Sequence, residues 1–267
     1  MYLPHLNERY SHPVLSFQIL VTFGNILVRS DMYATAVMNE AILNHIHTFI
    51  NNKWLCYGVG PVLSAGISFL VCSQFLELCR SLQFFESSMI TYKNSKNMSR
   101  KDFVAATHKR HPFKTQFYGA LATVLGPINI ISGVLSVVVL SHFQPPSATD
   151  SIELYPEMFS YVLEVALLLV VGDFFLYWGH RVQHASELLW KKCHTFHHEL
   201  DTPTATSTSY IDGIDAMLQG GIPIILSAIL LKPHPLSYNI FILMRMADHC
   251  INHSGMDSTL LNVMFLK

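Results

Sequence analysis

Charge is what this chain has least of: Asp, Glu, Lys and Arg make up 13% of its 267 residues, whereas apolar residues reach 51%. An ordinary soluble domain carries about twice that charged share. With 17 basic against 18 acidic residues there is no positive excess to hold a nucleic acid. The opening residues, MYLPHLNERYSHP, lack the basic-then-apolar order of a cleaved signal peptide, so targeting falls to internal spans. No C-x-x-C pair occurs among the five cysteines, Cys56, Cys72, Cys79, Cys193 and Cys250, which sit mostly in or beside apolar runs. Buried thiols are expected rather than a disulfide framework. There is no G-x-G-x-x-G and no haem-binding module, so redox chemistry here needs electrons from another protein. H-E-x-x-H is missing too, since Arg181 follows His180 and Thr195 follows His194, and a zincin-type protease is excluded.

What is present is a membrane composition, and the expected fold class is an all-α polytopic helical bundle. Val14–Val28 is a short apolar run broken by Gln18 and Asn25, suited to the interface, and Ala34–Ile50 has helical apolar spacing with His45 and His47 read as solvated. Tyr57–Cys79, Thr115–Leu140 and Met158–Gly179 are long enough to span, the second with a kink expected at Gly126-Pro127. Between the first two, residues 80–114 carry eight Lys or Arg against Glu86 and Asp102, which marks a cytosolic loop. Residues 141–157 carry no Lys or Arg and fit the opposite side. Ile214–Leu231 and Leu236–Asp248 flank the breaker KPHP as a helical hairpin, preceded by the polar Thr/Ser-rich loop DTPTATSTSYID. The sequence divides into an N-terminal membrane region, 1–157, and a histidine-rich region, 158–267.

The organising feature is a cluster of histidines. His180, His184, His194, His197 and His198 fall within nineteen positions directly after the third span, and His249 and His253 follow in DHCINHSG. On helices, partners three or four apart project imidazoles from one face. By parity of the spans all seven lie at the same, cytosolic, membrane face. Asp173 and Tyr177 extend the His180/His184 face by a 4-3-4 spacing, and Asp173 is a candidate outer partner for a ligating ring. Glu164, deeper in the span, receives no assignment. His108 and His111, beside Lys109 and Arg110, have metal-unlike neighbours.

Imidazole suits zinc, copper, iron and nickel. Seven clustered histidines exceed the four ligands of a tetrahedral zinc, which favours two metals. Bis-histidine haem wants isolated histidines on facing helices, and a metal transporter wants ligands spread across the membrane. Neither pattern matches.

HRVQH preceded by DFFLYWG, then HTFHH, then HCINHSG, resembles the fatty acid hydroxylase superfamily of membrane di-iron enzymes, especially its methylsterol oxidase and sterol hydroxylase branch, over roughly residues 159–257. The resemblance implies that His180, His184, His194, His197, His198, His249 and His253 hold or surround two irons at the cytosolic end of a four-helix bundle. It further implies O2 as co-substrate and hydroxylation or oxidation of a C–H bond in a lipid, most readily a sterol, that enters from the bilayer. It implies an external electron donor such as cytochrome b5 or a reductase, and residence in the endoplasmic reticulum membrane. Relatives of this pattern carry one more box, of the H-D-x-H-H type, and the sequence reaches Lys267 without one. The expectation is therefore a truncated or catalytically weak form, with an inactive membrane scaffold or metal-binding remnant as the alternative.

Overall fold

The computed structural model describes residues 52–82, 84, 100–143, 158–200 and 203–255. The expectations for 14–28, 34–50 with His45 and His47, and most of the 141–157 loop lie outside these residues. Within them the architecture is helical, with no strand. A π-helical turn at Leu55–Val59 leads into α1, Gly60–Ser81, followed by α2, Arg100–Arg110. Next come α3, Phe113–Leu125, α4, Pro127–Phe143, and the long α5, Met158–Ala185. The last described elements are α6, Ile222–Leu231, and α7, Pro235–Ser254.

Four helical stretches are long and apolar enough to cross a membrane: Leu55–Ser81, Phe113–Phe143, Met158–Ala185 and Gly213–Leu231. The first three coincide with the expected spans, and the fourth contains Ile214–Leu231, expected as one arm of a hairpin. Outward-facing Leu63, Ile67, Val71 and Phe75 on α1, and Phe159, Val162, Leu163, Leu167 and Val170 on α5, form apolar stripes. Such stripes are costly in water and suited to lipid. The protein is a polytopic membrane helical bundle.

The expected kink is a break. α3 ends at Leu125, Gly126 is extended (φ −87°, ψ −174°), and α4 restarts at Pro127. Pro127 sits at the first helical position, where its missing N–H costs nothing. The KPHP breaker also turns as expected. Lys232 closes α6 in the left-handed region (φ 49°), and His234 caps α7 by accepting Leu236 N–H at 3.1 Å. Glu164 finds its reason here, accepting the backbone N–H of His234 at 3.0 Å and so satisfying a free donor at the start of α7.

α7 is longer than the expected Leu236–Asp248 and runs unbroken through His249 to Ser254. At 1.5 Å per residue it is about 30 Å long, the thickness of a bilayer core. Its Tyr238, Phe241, Ile242, Cys250 and Ile251 are buried, and its closest partner is α1 from the other end of the chain. Ser68 Oγ donates to Leu243 O at 2.7 Å, and Asn239 Nδ2 donates to Cys56 O at 2.8 Å across this seam. Helices from both sides of residue 157 thus share one core. The five cysteines are free thiols.

The Thr/Ser-rich stretch departs from expectation. Instead of a solvated loop, Ala205–Ser209 is a buried 3-10 turn wedged against α1, α3 and α7. Thr204 and Ser207 cap one another reciprocally, so the segment satisfies its own backbone donors. Short hydroxylated side chains that bond locally are cheap to bury.

Candidate metal centre

α5 sets the first two candidate ligands. Its buried face carries Val165, Leu168, Gly172 and Gln183, and His180 lies close to that face while His184 is exposed. Near its end α5 approaches the π-helical turn Met217–Gly221 so closely that a Cβ on Gly179 would stand 2.4 Å from Leu218 O. Only glycine permits that approach, and it delivers Gln219 to His180: Nδ1 lies 2.8 Å from Gln219 Oε1. An amide oxygen can only accept, so His180 Nδ1 carries the proton and Nε2 presents a lone pair.

Ser186 then caps a short turn, Glu187–Leu189, which passes into a second π-helical turn, Trp190–His194. π-turns often mark functional sites, because the extra residue re-aims side chains. Here the turn buries His194 completely and sets its Nδ1 3.0 Å from Asp215 Oδ2, itself fully buried. Asp215 also accepts from Gln219 Nε2. The carboxylate fixes the proton on Nδ1 of His194 and leaves Nε2 bare, the usual arrangement behind a ligating imidazole.

Four rings converge on one point. His184 Nε2 is 2.9 Å from His180 Nε2 and 3.1 Å from His194 Nε2, and His198 Nε2 is 3.1 Å from His194 Nε2. The ligand atoms of His180, His184, His194 and His198 all lie within 4.8 Å of one another. Hydrogen bonds satisfy at most two of the three contacts, since one proton on His184 Nε2 serves one neighbour. A cation satisfies all four lone pairs together. Ligands at right angles around an ion about 2.1 Å away stand about 3.0 Å apart, the spacing seen here. The donor set fits iron, zinc or another imidazole-binding metal.

The other three expected ligands group differently. His197, although next to His198, turns the opposite way, and its Nε2 meets His253 Nε2 at 3.2 Å. His253 Nδ1 lies 3.0 Å from His249 O and 3.1 Å from Thr208 Oγ1, so the carbonyl takes its proton and Nε2 again faces inward. The His249 ring joins neither group and lines the adjoining cavity. Burial first, then His253, His198 and His194, pushes His197 down to about 3. Burial, then His194, His184 and His180, lowers His198 to about 4 against the pull of Asp215. Both rings are neutral at physiological pH, the form a metal requires.

The outer partners expected from sequence require correction. Asp173 accepts from Arg245 Nη2 at 2.6 Å, and the Tyr177 hydroxyl accepts from Arg181 Nη1 at 2.9 Å. Asp173 stands seven residues, roughly 10 Å along the helix, before His180, too far to touch its ring. Asp215 and Gln219 do that work instead. Their signal was available: two polar residues four apart inside an apolar span, YIDGIDAMLQGG, are expensive without a partner. Thr208 was masked by its composition, which reads as loop. His108 lies apart from the cluster, packed edge-on against Phe113.

Below the histidines a cavity of about 250 Å³ opens into the bundle. Its lining joins His180, His197, His249 and His253 to the apolar Pro61, Ala65, Val124, Ile224 and Ile242 and to polar groups that include Asn129, Ser132, Asp173 and Arg245. A second, more open cleft on the outer side of α5 is bounded by Asp173, Tyr177, Arg181 and His184, and shares His180 with the inner one.

Residues 165–266 match the fatty acid hydroxylase family. Over that stretch the chain is similar to the fatty acid hydroxylase superfamily, and the relatives below agree with it. A very-long-chain aldehyde decarbonylase of Oryza sativa subsp. indica is 32% identical over 123 residues, 45% of each chain. A methylsterol monooxygenase of Arabidopsis thaliana is 29% identical over 92 residues, 34% of each. Another aldehyde decarbonylase, of Oryza sativa subsp. japonica, is 25% identical over 234 residues, 84% of this chain and 72% of the relative. The matched stretch thus spans less than half the length of the first two relatives. No solved structure matches the chain.

Proposed function

We propose that this protein is an iron-dependent lipid oxidoreductase that uses O2 to oxidise a C–H bond of a lipid, most readily a sterol. The observation that carries the reading is the convergence of four histidine Nε2 atoms beside a cavity of mixed polar and apolar lining that shares one of those rings. His180, His184, His194 and His198 would hold one ion. His197 and His253, with His249 beside them, are the residues available to a second. Iron bound there supplies one-electron redox chemistry and dioxygen activation, which acids and bases alone lack.

The chain's own groups do the rest. Asp215 and the Gln219 amide oxygen hold protons on Nδ1 of His194 and His180, keeping both Nε2 atoms open. Thr208 and the His249 carbonyl orient His253. Pro61, Ala65, Val124 and Ile242 give the substrate an apolar bed that excludes water, with a carbon presented to the histidines. The absence of an internal electron-carrier motif supports an external donor such as cytochrome b5 or a reductase, and the basic 80–114 segment supports a cytosolic face of the endoplasmic reticulum membrane for the histidines.

Elemental analysis of the detergent-purified chain, beside a His184→Ala/His198→Ala variant, tests the metal. Two irons per chain, reduced in the variant, support the reading; no metal in either sinks it and leaves a membrane scaffold of the same family. A relative that aligns with 84% of this chain is an aldehyde decarbonylase, which favours a long-chain aldehyde as the second substrate reading. Product analysis with a 4-methylsterol and a long-chain aldehyde, each with reductant and O2, separates the two.

A further inference from the structure

Three of the imidazoles are held by hydrogen bonds at Nδ1: His180 by Gln219, His194 by Asp215, and His253 by the His249 carbonyl and Thr208. His184 and His198 are not held this way. Both are exposed, and the hydrogen bonds they make run through Nε2, inside the cluster. What they share is Trp190. Its ring centroid lies 5.1 Å from that of His184, tilted by 38°, and 5.2 Å from that of His198, tilted by 39°. His194 meets the same indole at 5.7 Å and 67°. The indole therefore lies along the outer edge of the cluster and touches the two rings that have no Nδ1 hydrogen bond among the described residues. Their other ring neighbours, such as His180 stacked on His184 at 4.8 Å and 23° and the two rings on each other at 5.0 Å and 75°, belong to the cluster itself.

We propose that Trp190 is a positioning residue for the metal centre, an aromatic wall that fixes the ring planes of His184 and His198 in place of hydrogen bonds. An imidazole binds a metal only along the in-plane lone pair of Nε2, so free rotation about χ2 swings that lone pair off the ion. Offset and tilted aromatic packing restrains this rotation, because the ring quadrupoles favour some mutual tilts over others. Geometry explains how one residue serves both rings. His184 ends α5 and His198 follows the next turn, fourteen residues apart, and the π-turn beginning at Trp190 lies between them. That turn seats the indole in the fork and buries His194 behind it. A flat, rigid side chain fits this position. A flexible aliphatic one would fill the volume without setting the ring planes.

The proposal rests on the metal reading above, and its test has one arm that needs no metal. The full-length chain in detergent is labelled with 13C-histidine, and the His184 and His198 ring signals are assigned by their loss in His184→Gln and His198→Gln. In the metal-free chain, Trp190→Leu is expected to move both signals to unshielded, averaged positions while leaving His253 in place; Trp190→Phe keeps them restrained. Unmoved signals in Trp190→Leu overturn the proposal whether or not the protein binds metal. In the second arm, the iron-loaded chain is challenged with a chelator. Trp190→Leu is expected to lose iron at least about 10-fold faster, the scale of outer partners of ligating histidines, and Trp190→Phe to stay close to the parent. Equal retention in Trp190→Leu and the parent overturns it. Should Trp190→Leu misfold, the unaltered indole decides. With Trp54→Phe and Trp178→Phe, Trp190 is the only tryptophan left of three. Cobalt(II) is expected to quench its emission with the parent histidines and not with His184→Gln/His198→Gln. Emission indifferent to that histidine pair overturns the proposal.

Discussion

Two histidine groups lie side by side in this bundle and are built in different ways. The group of His180, His184, His194 and His198 comes from one contiguous stretch of chain and is backed by buried polar side chains, Asp215 and Gln219. The pair His197 and His253 joins residues 56 apart in sequence and is backed by a backbone carbonyl and one hydroxyl. The first has four converging donors and a carboxylate behind it, whereas the second has two facing rings with the His249 carbonyl and the Thr208 hydroxyl at His253 Nδ1. A metal in the first is therefore expected to bind more tightly, and one in the second to exchange more easily. Charge explains the order, since a carboxylate behind an imidazole makes it a better donor than a carbonyl does.

The sharpest way to break this comparison is to remove His194, which touches both His184 and His198. His194→Ala is expected to abolish binding at the four-histidine group while leaving residual metal at the pair, read as a fall in stoichiometry. Loss of all metal would show that the two groups are one site. Next in size, Asp215→Asn keeps the shape but removes the charge, and an expected loss of about 10–100-fold in affinity follows from other outer-partner changes. Competition against a graded chelator series measures it. Thr208→Val should weaken only the pair, and by less, because the His249 carbonyl still holds His253. Asp173→Asn, paired to Arg245 and away from the rings, should leave metal affinity unchanged.

Acid offers a further test. His197 and His198 titrate at about 3 and about 4 in the fold, against 6.5 for a free imidazole. The unfolded chain therefore binds more protons across that interval. The stability contribution of both rings is present in full above about 6.5 and is lost as pH falls through about 4 and then 3. Melting of the metal-free chain in detergent should accordingly drop between pH 7 and 4, and His197→Gln should flatten the slope. A melting temperature indifferent to pH in that range would contradict the burial of His197.

The smallest expected effect is at the scaffold. Gly179→Ala forces α5 away from the Leu218 carbonyl, at a cost of about 1–3 kcal/mol as an overpacked contact. Because that approach brings Gln219 to His180, metal retention should fall along with stability.

Much of this was legible from residue order. The spans at 57–79, 115–140 and 158–179 and the hairpin arm at 214–231 recur as helices with ends shifted by a few residues, because an apolar stretch can satisfy its backbone in lipid only as a helix. The break at Gly126-Pro127 and the turn at KPHP are local backbone chemistry, and they stand where expected. The histidines that belong together through i, i+4 spacing, His180 with His184 and His194 with His198, do meet.

Residue order could not divide the neighbours His197 and His198 between two groups, since adjacent side chains diverge and the partner of each lies on another element. Nor could it replace Asp173 by Asp215. Helical periodicity ranks Asp173 first because it shares a helix with His180, but contact is decided by which helix packs alongside, and Gly179 admits the Leu218 turn there. The burial of Thr204–Ser209 was hidden for a related reason, since composition reports hydrogen-bonding capacity without saying whether water or the chain itself will satisfy it. Sequence alone determined the membrane helices, the donor chemistry and the family resemblance of the histidine-rich region. Which donors share an ion, and what holds each ring in place, was decided by packing between segments far apart in the chain, where no local period reaches.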